Sequence, residues 1–303
     1  MSAAKAYPSP KAFRQALTDK LRFLARTSKW SLPQLQRQIA YDRLLERLYL
    51  VDEGWVVKGA TALLARDLGV RASIDVDLYR NATAEIAERE LRQAAALDLG
   101  DWFDFALGAR SEVRDGAVGL RVPVTASIGS APWAQFHVDL RGAGLKMTGA
   151  PEDVPALARV AMPDVAQHGY RAYPLVDHVA DKVLACFDRY GAEAAPSTRY
   201  KDLVDLVAIA LAATVPAEPQ LLALDSEAKR RGVHLPKLFR VPDRSLWGPG
   251  YAAEAKRSLL PIAHSLDEAL AMMGLFLNPL LGGTAAGCWD PDSRRWGAEK
   301  PGR

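Results

Sequence analysis

The sequence predicts an α+β fold: a mixed sheet followed by a mainly helical C-terminal region. Three observations carry this. Strand-like runs alternating with a period of two fall between residues 55 and 140, and helical spacing dominates after residue 175. One of the strands holds two carboxylates two positions apart, Asp75 and Asp77. The chain of 303 residues is long enough for one large domain or two smaller ones. Its 49% hydrophobic and 25% charged residues are ordinary for a soluble globular protein. No apolar run approaches the roughly 20 residues of a membrane helix, and the N-terminus lacks a signal-peptide core, so a cytoplasmic protein is expected. Cys186 and Cys288 are too few and too far apart for a disulfide framework, and no Cys/His cluster suggests zinc. A net charge of +3 permits nucleic-acid binding without requiring it.

In chain order, residues 11–28 and 33–50 read as helices. The second carries an apolar stripe of Leu35, Ile39, Tyr41, Leu44 and Leu48, with Arg37, Arg43 and Arg47 expected outside it in solvent. Ser31 is placed to cap this helix, with Pro33 in its first turn. A short apolar strand from Trp55 leads into the small-residue turn Lys58-Gly59-Ala60-Thr61, a helix, and the strand with Asp75 and Asp77. Alternation puts these carboxylates on one face and sends Ile74, Val76 and Leu78 to the buried one. A helix over residues 84–97 precedes three strand-like runs, residues 102–107, 118–125 and 135–140, with turn signals at Arg114-Asp115-Gly116 and Gly129-Ser130-Ala131-Pro132. In the last run Phe136, Val138 and Leu140 share a face, leaving His137 and Asp139 on the other. Residues 141–175 are rich in Gly and Pro, and a soft boundary near Pro163 divides the chain into residues 1–162 and 163–303. Helices follow at 176–190, from Arg199 through Ala213, and at 265–275. Between the last two, basic residues (Lys229, Arg230, Arg231, Lys237, Arg240, Arg244, Lys256, Arg257) mix with Phe239 and Trp247, a pattern compatible with binding unpaired bases but equally with solvated charge and core aromatics. From Asn278 onward an irregular tail is expected.

Two carboxylates so close repel each other unless a cation lies between them, and hard oxygen ligands suit Mg²⁺ or Mn²⁺. Gly59 and Ala60 let the backbone approach a ligand, and the N-terminus of the following helix offers free N–H groups to an anion. A phosphate cradle and a metal pair together point to chemistry on a nucleoside triphosphate (NTP).

The arrangement resembles the nucleotidyltransferase superfamily, and more specifically the AbiEii/AbiGii toxin family with its MenT-like members. The resemblance is carried by Lys58-Gly59-Ala60-Thr61, Arg71-Ala72-Ser73-Ile74-Asp75-Val76-Asp77, Ala180-Asp181-Lys182 and Arg199-Tyr200-Lys201-Asp202-Leu203-Val204-Asp205-Leu206. It departs at Ala60, where a second glycine or a serine is usual; Thr61 is expected to supply the hydroxyl instead. The resemblance implies a catalytic domain over residues 1–162 and a helical domain over 163–303 that completes the nucleotide site. It implies a catalytic set of Asp75, Asp77, Asp139, Lys182, Asp202 and Asp205, with nucleotide contacts from Lys58, Gly59, Ala60, Thr61, Arg71, Ser73 and Arg199. Asp75, Asp77 and Asp139 would hold metal, Asp139 would also serve as general base, and Lys182 would bind phosphate. The implied activity is nucleotide transfer from an NTP, for MenT-like relatives to the 3′ end of tRNA, in a toxin paired with an antitoxin. Phosphorylation of Ser73 by a kinase-type antitoxin is a further expectation, since it would add nearly two negative charges beside the carboxylates. Transfer of AMP to a protein or small-molecule hydroxyl, and an inactive nucleotide- or RNA-binding module, stay open as alternatives. The oligomeric state is not legible.

Overall fold

A computed structural model describes residues 6–70, 73–115, 117–158, 160–163, 165–190 and 194–298. The chain forms two compact units that interleave in sequence. The first comprises Met1–Arg66, Ala72–Leu145 and Asp153–Ala172; the second comprises Asp67–Arg71, Lys146–Glu152 and Tyr173–Arg303. A single cut at Pro163 therefore does not describe the division. The strand Tyr170–Ala172 explains part of the difference, because it pairs in parallel with the strand Trp55–Lys58 through Val57 and Ala172.

The first unit opens with α1 (Pro10–Thr27) and α2 (Leu32–Val51). Ser9 caps α1 by accepting from the Ala12 N–H at 3.2 Å, and Gln34 reaches back to accept from the Ser31 N–H at 2.8 Å. Next come β1 (Trp55–Lys58), α3 (Gly59–Ala65), β2 (Asp75–Arg80) and α4 (Ala84–Ala95). Then follow β3 (Phe103–Leu107), β4 (Ser111–Asp115), β5 (Ala117–Ile128), β6 (Ala131–Arg141), β7 (Glu152–Val154) and β8 (Tyr170–Ala172). Their sheet runs β3-β5-β6-β2-β1-β8-β7, with β4 pairing on β5. β4 falls where Arg114-Asp115-Gly116 reads as a turn; β4 and β5 form an antiparallel pair that ends with Asp115 opposite Ala117. Helices α1, α2 and α4 cover the sheet around one core, which holds Phe13, Leu17, Ile39, Leu44, Val76, Leu78, Val122, Val138 and Leu140.

Two sequence expectations fail in this unit. Ile74 precedes β2 instead of belonging to it and is 59% exposed. Arg43 and Arg47 are not in solvent: both are buried on Asp101, with Arg43 Nε 2.6 Å from Oδ2 and Arg47 Nη2 2.7 Å from Oδ1. Arg47 also donates to the carbonyls of Leu97, Arg43 and Phe103, so the interior charge is hydrogen-bonded throughout.

The second unit holds α5 (Leu175–Phe187), β9 (Arg189–Tyr190), β10 (Ala195–Pro196), α6 (Tyr200–Ala212), β11 (Val215–Pro216), α7 (Ala217–Arg231), α8 (Arg244–Lys256), α9 (Leu266–Leu281), β12 (Cys288–Asp290) and β13 (Arg295–Gly297). Helix α5 packs on α6 and α7, and α6 packs on α8 and α9. The tail from Asn278 through Ala298 is ordered, contrary to expectation. α9 continues through Leu281, and β12 and β13 pair with each other and, through β12, with β11. Trp289 is fully buried and donates to the Ala210 carbonyl at 2.7 Å, while Trp296 stacks on Phe276 with centroids 5.8 Å apart.

Candidate active site

The sheet itself assembles a carboxylate cluster in the first unit. β2 lies between β6 and β1, parallel to the former and antiparallel to the latter. The β2/β6 register sets Asp75 opposite His137 and Asp77 opposite Asp139, while β1 sets Lys58 opposite Asp77. Alternation sends Val76, Leu78, Val138 and Leu140 into the core and leaves the four polar residues on the other face. At the end of β1 the chain turns into α3 through Gly59, whose φ is +61°; a Cβ there would sit 1.9 Å from Asp77 Oδ2. Only glycine allows this turn to lie against the carboxylate.

Burial is the largest influence on Asp77 and raises its pKa, and the neighbouring Asp139 and Asp75 carboxylates push it the same way; Lys58 and Arg141 only partly offset this. Asp75 Oδ1 is shielded from solvent and accepts no hydrogen bond; His137 Nδ1 comes within 3.3 Å of it without bonding geometry. An orphaned carboxylate oxygen beside a second, repelled carboxylate fits a hard divalent cation on Asp75 and Asp77. Asp139, expected as a metal ligand and base, is engaged by an arginine. Both of its oxygens accept from Arg121, at 2.7 Å each, and among the described residues no group of three or more His, Cys, Asp or Glu side chains is disposed to hold a metal. Arg121 comes from β5, directly opposite Asp139 in register, and its Nη2 is 3.7 Å from Asp75 Oδ2.

The residues around the cluster are committed in detail. Thr61 is buried and its hydroxyl donates to the Asp75 carbonyl at 3.3 Å, so it ties α3 to β2 instead of facing a ligand as expected. Ser73 Oγ donates to the same carbonyl at 2.8 Å and accepts from the Asp75 N–H at 3.2 Å, which fixes the entry to β2. The Ser73 carbonyl in turn accepts from the Tyr41 hydroxyl at 3.1 Å. Burial pushes Tyr41 up to about 12. Ala60 is buried, and Arg71 lies outside the described residues.

Helical and strand geometry alone make this a catalytic-looking cluster; kinship decides what kind. The sequence profile of the family described as "Nucleotidyl transferase AbiEii toxin, Type IV TA system" matches residues 43–272. The chain belongs to the AbiEii family. It is therefore a nucleotidyltransferase of the toxin–antitoxin type, and such a toxin implies a cognate antitoxin. Among solved structures, MenT4, a nucleotidyltransferase toxin from Mycobacterium tuberculosis H37Rv, is similar at a TM-score of 0.55 and 16% identity, covering 88% of this chain and 89% of that one. JHP933 from Helicobacter pylori is similar at a TM-score of 0.46 and 19% identity, covering 82% of this chain and 94% of that one. No curated protein matches.

The AbiEii resemblance also singles out residues of the second unit, which form a group of their own. Lys182 on α5 is buried and donates to Asp202 Oδ1 at 2.9 Å and Asp205 Oδ2 at 2.7 Å on α6; Arg199, capping α6, donates to Asp202 Oδ2 at 2.6 Å. Burial opposes the charged ammonium, but the two carboxylates outweigh it and raise the Lys182 pKa. Burial likewise opposes the Asp202 carboxylate, yet Lys182 and Arg199 hold it down to about 2. Asp205 Oδ1 is buried without a hydrogen-bond partner. Part of the basic segment is ion-paired, while Lys237, Arg240 and Lys256 are exposed. Lys229 pairs with Asp225, Arg230 with Glu227, Arg231 with Glu227 and Asp188, and Arg244 with Asp267. Trp247 and Phe239 are core residues, and Trp247 donates to the Ser197 carbonyl. Sequence reasoning missed Arg121; the only trace of it was a charged residue out of phase with Leu120, Val122 and Val124, which are buried.

Proposed function

We propose that this AbiEii-family enzyme transfers a nucleotidyl group from an NTP to the 3′ end of tRNA, blocking aminoacylation and hence translation, with Mg²⁺ or Mn²⁺ on Asp75 and Asp77. The observation that carries the proposal is the pairing of the orphaned Asp75 oxygen with an Asp77 carboxyl that lies against the Gly59 turn. A divalent cation bound there would neutralise the carboxylates and polarise the phosphate oxygens. The acceptor hydroxyl attacks the α-phosphorus, the bond to the bridging oxygen breaks, and pyrophosphate leaves. Lys58, opposite Asp77, adds fixed positive charge beside the turn, and Gly59 admits the close approach of backbone and ligand. A role for Lys182, Asp202, Asp205 and Arg199 in handling the nucleotide is proposed on the resemblance alone. So is tRNA as acceptor.

The antitoxin proposed here is a kinase acting on Ser73. A phosphoryl group on Oγ would remove the hydrogen bond donated to the Asp75 carbonyl and add nearly two negative charges at the mouth of β2. No described helix is long and apolar enough to cross a membrane, and action in the cytoplasm belongs to the same proposal. The test is incubation with each α-phosphate-labelled NTP, Mg²⁺ and total tRNA, beside Asp75→Ala. Label on tRNA that disappears in the variant supports the reading. Label on protein instead would redirect it to AMP transfer, and a Ser73→Asp protein with full activity would remove the kinase proposal.

A further inference from the structure

Nothing so far gives Arg121 a function, yet it is the most tightly engaged cation of the cluster. Its side chain is about one-third exposed, at 37%, while the Asp139 carboxylate it grips is only 10% exposed. Two parallel N–H···O bonds of 2.7 Å fix the guanidinium plane and use one lone pair on each Asp139 oxygen. The same Nη2 that binds Asp139 stands 3.7 Å from Asp75 Oδ2, too far for a hydrogen bond but close enough for strong attraction. The guanidinium thus lies on Asp139 and faces Asp75, one of the two carboxylates proposed to hold the cation. Arg121 donates both bonds and carries a permanent positive charge into the cluster. Arg121, together with Lys58 opposite Asp77, offsets part of the charge of the three carboxylates, so a second divalent cation would overfill the cluster.

We propose that Arg121 is the resident second cation of the carboxylate cluster: clamped on Asp139, it limits the site to one divalent ion, held by Asp75 and Asp77. Arg121 is then a positioning residue, and Asp139 is its anchor rather than a ligand. This inference rests on the reading of Asp75 and Asp77 as cation ligands.

The test is a count of bound Mn²⁺ on the full-length protein by electron paramagnetic resonance, with affinity from calorimetry and folding checked by circular dichroism. The wild type is expected to bind one ion and Asp77→Asn none. Arg121→Met, which frees Asp139, is expected to bind a second ion or to hold the first about tenfold more tightly. Arg121→Met/Asp139→Asn removes the pair as a neutral unit and is expected to bind one ion with affinity within about threefold of wild type. If Arg121→Met does not fold, the wild-type count and the double variant decide. Two ions in the wild type, or a double variant as impaired as Asp77→Asn, overturns the proposal while leaving the cation reading standing. An unchanged single ion in folded Arg121→Met also overturns it. No ion in the wild type overturns both.

Discussion

Replacing Gly59 by alanine tests how the turn and the carboxylate depend on each other. The added Cβ would lie 1.9 Å from Asp77 Oδ2 and 2.7 Å from its Cγ, and the backbone at φ +61° disfavours any side chain. The backbone strain alone is about 1–2 kcal/mol, worth a fall of about 2–8 °C in melting temperature. The clash adds a second effect, since the carboxylate must retreat by about 1 Å or the turn must lift, and misplacement on that scale costs about a hundredfold in a positioned site. Gly232→Ala is the control: Gly232 has φ +65° with nothing within 4 Å of its added Cβ, so it carries the strain without the clash. Both variants should melt earlier by similar amounts, but only Gly59→Ala should lose Mn²⁺ affinity and transferase activity. A Gly59→Ala protein that binds Mn²⁺ as tightly as wild type would refute the assignment of Asp77 to the cation.

Other expectations concern the buried charges. Lys182→Met strands the Asp205 carboxylate inside the second unit, leaves Asp202 to Arg199 alone, and should cost about 3–5 kcal/mol in denaturant unfolding; Lys182→Met/Asp205→Asn should recover much of it. Asp202 is held at about 2 when folded against an ordinary 3.8, so its contribution is full above the ordinary value and fades as pH falls through the folded one. That amounts to about 2 kcal/mol; melting curves between about pH 5 and 2 should be steeper for wild type than for Asp202→Asn. Asp101→Asn leaves Arg43 and Arg47 buried without their counter-charge and should destabilise the first unit by about 3–5 kcal/mol, read by thermal melting.

The carboxylate face was legible because a strand has a period of two. Asp75, Asp77 and Asp139 follow from alternation, and the buried Phe136, Val138 and Leu140 confirm the phase of β6. Ile74 was misplaced because alternation says nothing about where a strand begins. Arg43 and Arg47 have the helical positions of solvated residues; the carboxylate that draws them inward lies 58 and 54 positions along the chain. Arg121 was hidden for the same reason, since its partner becomes visible only with the β5/β6 register. The ion pairs of the basic segment and the order of the tail through Ala298 were not legible because ion pairing and aromatic burial leave no mark on local spacing. Short strands such as β12 and β13 fall below what periodicity can detect.

The interleaving of the two units bears on the order in which a ribosome releases them. Once Ala172 has emerged, every strand of the large sheet and the whole carboxylate cluster have been synthesised. The loop residues 67–71 and 146–152 have emerged too, but the unit to which they belong has not. Asp177, which receives the Thr148 and Gly149 N–H groups, is still to come. A nascent toxin therefore carries its carboxylate face before the helices of the second unit are made, with two segments of that unit waiting on them.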